Sequence, residues 1–214
     1  MSKQKINLPN VTLLAATSVE VDMTQLAIRI SSSNINFGGI KLLSSIIPEK
    51  SYPEIEYVKI PHLNIGGYNR LILEDLHKYF QTTHCLIVQA DSFVVDANLW
   101  KEEFLEFDYI GAPWPNKIST NLGEILNLET NPVGNGGFSL RSKKLAKVTA
   151  KINYKSLKFP IMSEDIIICY YLYKEMIDSG IKFANPQLAA KFSMENESHL
   201  YGQDVNTVFG FHGK

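Results

Sequence analysis

The sequence predicts an α/β fold built around a doubly wound, mostly parallel sheet. The segment from Thr83 to Gln89 carries Cys85, Leu86, Ile87 and Val88 in an unbroken apolar row, the pattern of a strand buried on both faces. Strand-like and helix-like segments alternate through roughly the first ninety residues, as a doubly wound sheet requires. The chain has 214 residues, 45% of them hydrophobic, which suits a globular domain and argues against disorder.

The elements follow in order. Val11 to Ala16 is a short apolar run ending at Thr17 and Ser18, a buried strand and a polar turn. From Asp22 to Ser33 the apolar positions Met23, Leu26, Ala27 and Ile30 have helical spacing. Gly38-Gly39 precedes a second strand, Ile40 to Leu43, and Glu56 to Ile60 is a third, ended by Pro61. Gly66-Gly67 opens a helix from Tyr68 to Phe80 with Tyr68, Ile72 and Leu76 along its stripe, and the strand Thr83 to Gln89 follows. Asp96 is placed to cap a short helix on which Trp100 and Phe104 share a face. Asp108 to Pro115 reads as a strand ending in a proline-broken loop, and Lys117 to Asn131 as a mobile polar segment with a short amphipathic piece. Gly134 to Leu140 is a glycine turn leading into a strand. Ser163 to Asp178 is a helix stopped by Ser179-Gly180, and Ile181 to Ala184 a late strand. Ser193 to Asn206 reads as loop, before an aromatic, glycine-rich end, Phe209 to Lys214.

Charge and composition narrow the function. The formal net charge is -1 and the basic residues are scattered, so the electrostatic footprint of a nucleic-acid binder is missing. Cys85 and Cys169 sit in apolar runs without metal-ligand spacing and read as buried free thiols. Met1 to Asn10 is polar and lacks the apolar core of a signal peptide. No stretch reaches the roughly 18 apolar residues of a membrane span. The expectation is a cytoplasmic protein of one domain, 1–214, with a peripheral position at a membrane left open.

Five groups of residues are candidates for chemistry. In Leu86 to Phe93 a buried strand delivers Asp91 near its carboxyl end, where open α/β sheets bind ligands and where a carboxylate can hold a hard cation; a solvated turn aspartate is the plain alternative. Ser163-Glu164-Asp165 begins a helix, where Ser163 is a good cap and acids suit the helix dipole, so a purely structural reading is adequate; the functional reading is that at most one of the two acids acts as a general base. Gly134 to Arg141 allows close backbone approach to a ligand but has no phosphate-loop spacing, and a strand-entry turn explains it equally well. His212 offers an imidazole for a metal, or is a surface residue near the end of the chain. Tyr68 can stack on a base and Arg70 can meet a phosphate, and Trp114 can face a sugar or simply anchor the fold.

Taken in order, these strings resemble the GT-A fold glycosyltransferases, in particular a largely uncharacterised family of bacterial and viral GT-A-like proteins. They are Tyr68-Asn69-Arg70, Leu86 to Phe93, Asp108 to Trp114, Val133 to Ser142, Glu164-Asp165 and Phe209 to Gly213, and the resemblance spans from about Asn10 to the end. The resemblance implies a Rossmann-like, mixed, mostly parallel central sheet flanked by helices. It implies a nucleotide-binding half over about 10–95 and an acceptor-side half over about 96–214. Thr17 and Ser18 would face the nucleotide, with Tyr68 and Arg70 close to it. Gln89-Ala90-Asp91 stands in the place of the Asp-X-Asp motif, with Asp91 and His212 as metal ligands. Gly136 and Gly137 would line the donor sugar or acceptor. Asp165, or Glu164, falls where inverting enzymes carry their base. Gln89 departs from the pattern: an amide can still bond a ribose hydroxyl, but it lowers the charge offered to a cation. Mn²⁺ or Mg²⁺ is the implied cofactor. A nucleotide-sugar, by default a UDP-sugar, is the implied donor, and a glycan, lipid-linked or protein hydroxyl the acceptor. Two other classes fit parts of the pattern: a non-catalytic nucleotide- or sugar-binding module, and a nucleotidyltransferase or sugar-nucleotide hydrolase.

Overall fold

The structure is a computed structural model and describes residues 5–119, 123–159, 163–196 and 198–213. The first residues of the polar N-terminus and part of the polar segment expected over Lys117 to Asn131 lie outside the described residues.

The first half builds the main sheet. It runs β1 (Ile6–Thr17), α1 (Val21–Ser32), β2 (Ile35–Ser44), β3 (Glu56–Lys59), α2 (Ile65–Arg70), β4 (His84–Val88) and β5 (Ser92–Val94). The second half adds β6 (Tyr109–Ile110), β7 (Ala112–Pro113), β8 (Lys117–Ser119), β9 (Ile125–Asn127), β10 (Val133–Gly134), β11 (Phe138–Ser142) and α3 (Lys143–Thr149). It continues through α4 (Glu164–Ile166), α5 (Tyr173–Asp178), α6 (Pro186–Phe192), β12 (Ser193–Glu195) and β13 (Gly210–His212). The central sheet has the order β3-β2-β1-β4-β11-β6. Its first four strands are mutually parallel, and β11 joins β4 and β6 antiparallel. This is the mixed, mostly parallel α/β sheet that the sequence predicts.

Strand alternation places the core on both faces. Leu13, Ala15, Leu86 and Val88 pack on one side with Val21 and Ile28 of α1. Leu14, Ala16, Cys85 and Ile87 pack on the other with Leu71, Ile72 and Leu76 from the helical run beyond α2. A third cluster, containing Tyr109, Trp114, Leu145 and Ile167, fills the space under the second half. Both cysteines are buried free thiols.

Several local readings need correction. Gly38 and Gly39 lie inside β2 rather than before it. The register between β1 and β2 shifts between Leu8 and Thr12, and a Cβ on Gly38 would stand 2.1 Å from the Pro9 carbonyl oxygen, so the glycine admits the bulge. On α1 the stripe Met23, Leu26 and Ile30 faces outward, 54%, 43% and 40% exposed, while Thr24, Gln25, Ala27 and Ile28 face the sheet. The helix expected from Tyr68 starts at Ile65, where Asn64 Oδ1 accepts the Gly67 N–H at 2.8 Å, and widens into a π turn over Leu71–Asp75.

The helix expected through Trp100 and Phe104 is two 3-10 turns, Ala97–Leu99 and Glu102–Glu106, with Trp100 extended between them. The two rings still meet edge to face at 5.4 Å. The described part of Lys117 to Asn131 contains the antiparallel hairpin β8-β9, held down by Leu126 and Leu128. The helix expected over Ser163 to Asp178 breaks at Leu172 after a π turn, and Ser163 supplies no side-chain cap. Ile181 to Ala184 makes a single bridge, Phe183 to Tyr109. Part of the loop expected over Ser193 to Asn206 is β12, which with β13 and β5 forms a small second sheet. No described helix is long and apolar enough to cross a membrane.

Candidate functional site

Beyond the carboxyl ends of β1 and β4 lies a cleft of about 430 Å³. Its lining brings together the turn after β1, the start of α2, the turn after β4, the glycines before β11, the start of α4 and the end of β13. Of the residues singled out in the sequence, Thr17, Ser18, Tyr68, Gln89, Ala90, Asp91, Gly136, Gly137, Glu164, Asp165 and His212 all line it. Arg70 does not: its exposed side chain reaches Glu74, one helical turn on, at 3.7 Å.

Ser92 holds the turn that carries Asp91. The fully buried Ser92 hydroxyl accepts from the Gln89 N–H at 2.7 Å and donates to the Gly137 carbonyl at 2.7 Å. This ties the Gln89–Asp91 turn to the glycine segment across the cleft floor. Gln89 Nε2 donates to the Tyr68 hydroxyl at 2.9 Å, which leaves the amide oxygen for other partners.

The small sheet assembles the other end. β13 pairs with β5 so that His212 stands opposite Ser92, and with β12 so that it stands beside Glu195. His212 Nε2 lies 3.5 Å from Asp91 Oδ1, and His212 Nδ1 lies 3.6 Å from Glu195 Oε1. Burial works against a charged ring, but Glu195, Asp91 and Asp165 outweigh it and raise the pKa of His212 above the ordinary value.

Glu164 and Asp165 are neighbours with different partners. Glu164 makes a two-point pair with Arg141, at 2.7 Å and 2.9 Å, with the side chains 3% and 1% exposed. Asp165 Oδ2 accepts from the Gly136 N–H at 2.9 Å and Oδ1 from the Ile166 N–H at 2.8 Å. Burial first, then the charge of Glu164, pushes Asp165 up to about 6; the two backbone bonds act against that rise.

The glycines are explained by contact rather than by a phosphate cradle. A Cβ on Gly136 would stand 2.0 Å from Glu164 Oε1, and one on Gly137 would stand 2.3 Å from His212 Nε2. Before them, Asn135 is fully buried with φ +71°, and its Oδ1 accepts from the Gly137 N–H at 3.1 Å.

Sequence reasoning assigned no role to Asn64, Asn69, Ser92 or Glu195. Asn64 and Asn69 line the cleft, and Asn69 stands inside the quoted Tyr-Asn-Arg string. Ser92 and Glu195 belong to the small sheet, whose short, distant strands leave no period to read.

Asp91 and His212 offer one carboxylate oxygen and one imidazole nitrogen to the same space. Among the described residues no group of three His, Cys, Asp or Glu side chains is placed to hold a metal. A divalent cation held by these two groups would need ligand oxygens and water at its other positions.

Comparison with known proteins places the chain in a family. A profile of the family described as "Protein of unknown function (DUF5672)" matches residues 54–212, and the chain belongs to that family. No curated protein matches it. Among solved structures it resembles a glycosyltransferase involved in the glycosylation of the major capsid of PBCV-1. The TM-score is 0.52 at 12% identity, over 94% of this chain and 91% of that one. It also resembles the bifunctional IspDF from Campylobacter jejuni, with a TM-score of 0.52 at 14% identity, over 82% of this chain and 48% of that one. This chain thus spans about half of the second protein. At these identities the likeness is one of fold, and the fold is GT-A-like.

Proposed function

We propose that this member of the DUF5672 family transfers a sugar from a nucleotide-sugar, by default a UDP-sugar, to an acceptor hydroxyl, with inversion at the anomeric carbon. The observation that carries the reading is Asp165. It is a carboxylate in the wall of the cleft, held by two backbone N–H groups and pushed to about 6, which keeps it ionised at neutral pH yet more basic than an ordinary aspartate. Across the same cleft stand Asp91 and His212, a fitting pair for a cation that a nucleoside diphosphate completes. The GT-A-like frame, shared along nearly the whole chain with the glycosyltransferase involved in glycosylating the PBCV-1 major capsid, supports the same reading.

In this reading the chain is one domain, with the donor held over about 10–95 and the acceptor met over about 96–214. Thr17 and Ser18 face the nucleotide, and the Tyr68 ring, steadied by Gln89, packs on it. The free oxygen of Gln89 accepts from a ribose hydroxyl. Asp91 and His212 hold Mn²⁺ or Mg²⁺, which when bound neutralises the charge that collects on the leaving diphosphate. Gly136 and Gly137 present bare backbone to the sugar. Asp165 takes the proton of the attacking acceptor hydroxyl on its carboxylate, while Gly136 and Ile166 fix the direction of its oxygens. Glu164, with both oxygens engaged by Arg141, supports the wall and leaves the proton transfer to Asp165.

The test is calorimetric titration with UDP, GDP and their sugars, with and without Mn²⁺, for the parent and for Asp91→Ala. The expected result is nucleotide binding that requires the metal and is lost in Asp91→Ala. Slow donor turnover should release a nucleoside diphosphate rather than pyrophosphate. No nucleotide binding in either condition would reduce the likeness to one of fold alone.

A further inference from the structure

Three strings far apart in the sequence meet behind His212. Trp114, in the segment after β7, donates its indole N–H to Glu195 Oε2 at 2.6 Å. Glu195, at the end of β12, turns its other oxygen toward His212 Nδ1, 3.6 Å away. His212 Nε2 then points to Asp91 Oδ1, 3.5 Å away, on the cleft side. The parallel register of β12 and β13 sets Glu195 beside His212, so the alignment is made by backbone pairing. His212 Nδ1 is buried and makes no hydrogen bond among the described residues, and the Glu195 carboxylate is the acceptor it faces. On the other side the bare backbone of Gly137 closes on Nε2, because a Cβ there would stand 2.3 Å from it. The ring is boxed between a carboxylate and a glycine.

We infer that Glu195, anchored by Trp114, is a positioning residue that keeps the Nδ1–H tautomer of His212 and so aims the Nε2 lone pair at the cation site beside Asp91. A small shift from the 3.6 Å separation lets Glu195 accept from Nδ1–H, and with that proton fixed the other ring nitrogen is an acceptor facing the cleft. The indole N–H occupies the second oxygen of Glu195 and stops the carboxylate from rotating away. Residues of this kind typically change metal affinity about 10–100-fold without touching the metal. The inference rests on the reading of Asp91 and His212 as cation ligands, but its first consequence is visible without any cation.

The experiment has two arms on the parent, Glu195→Gln and Trp114→Phe. In the first, ¹⁵N spectra of histidine-labelled, metal-free protein report the tautomer of the neutral ring, with His212→Ala identifying the signal. The parent should hold Nδ1–H; Glu195→Gln, close in shape but able to donate as well as accept, should let Nε2–H appear. Trp114→Phe, which keeps an aromatic ring and removes the donor, should move the same way by less. In the second arm, free Mn²⁺ is measured by electron paramagnetic resonance in the presence of UDP. Glu195→Gln should weaken Mn²⁺ by about 10–100-fold, whereas Asp91→Ala should abolish its binding. An Nδ1–H tautomer unmoved by Glu195→Gln, or Mn²⁺ affinity equal to the parent's, overturns the inference. If the parent binds no Mn²⁺ with UDP while the tautomer follows Glu195, the positioning role stands and the proposed function fails.

Discussion

At Glu164 both carboxylate oxygens face the Arg141 guanidinium, at 2.7 Å and 2.9 Å, while the next residue, Asp165, takes bonds from the Gly136 and Ile166 backbone N–H groups. Adjacent positions on a helix diverge in direction, so one acid is held in a buried ion pair and the other is the one proposed as the base. The two variants should separate cleanly. Asp165→Asn should lower turnover by about 10²–10⁴-fold with nucleotide binding kept, since a lost base affects proton transfer alone. Glu164→Gln should cost about 3–5 kcal/mol of stability, because it leaves the Arg141 charge buried without its partner. Kinetics beside urea denaturation of both variants checks this, and a stable, inactive Glu164→Gln would reverse the assignment. The sign of the pH effect follows from the raised pKa of Asp165. The base works only when ionised, so the parent should lose activity as pH falls through about 6, and should hold it above.

At the level of elements, the site depends on a small sheet, β12-β13-β5, that sits beside the main one. It brings His212 and Glu195 to the turn that carries Asp91, although that turn is far from both in sequence. The Gly-Gly segment before β11 closes the arrangement. Gly137→Ala should therefore disturb the metal-dependent nucleotide binding and cost about 1–3 kcal/mol, as overpacking at a filled position does. Gly39→Ala is the matched control, because the nearest atom to its added Cβ is Thr12 Oγ1 at an ordinary 3.5 Å. Calorimetry and thermal melts of the pair check the contrast; equal behaviour would mean that His212 moves aside freely.

Across the whole molecule, the core lies on both faces of the parallel strands, and α1 contributes its less apolar side to it. Ile28 is fully buried while Met23, Leu26 and Ile30 face out. Ile28→Ala should cost about 2–5 kcal/mol. Met23→Gln, Leu26→Gln and Ile30→Gln should each stay within about 0.5 kcal/mol of the parent, as exposed substitutions do. Urea midpoints decide between this face assignment and the reverse one that helical periodicity alone suggests.

The sequence by itself determined the class of the fold, because an all-apolar strand such as Cys85–Val88 belongs inside a sheet covered on both faces, here between the parallel β1 and the antiparallel β11. It also marked most residues that line the cleft, because turns at strand ends are where such sheets leave polar groups and bare backbone. Arg70 and Trp114 were exceptions: a helix turns a side chain by about 100° per residue, so Tyr68 can face the cleft while Arg70 meets Glu74, and the Trp114 indole is held by Glu195 away from the cleft lining. Only the tertiary structure decided which face of α1 is buried, since a stripe of helical period marks an amphipathic helix without saying what covers it. Only it gave Glu164 and Asp165 different partners, because the guanidinium that pairs with Glu164 comes from β11, distant in the sequence. Tertiary structure alone also joined Trp114, Glu195, His212 and Asp91. Pairing between short strands distant in the chain is written in backbone hydrogen bonds, which leave no period and no spacing in the sequence.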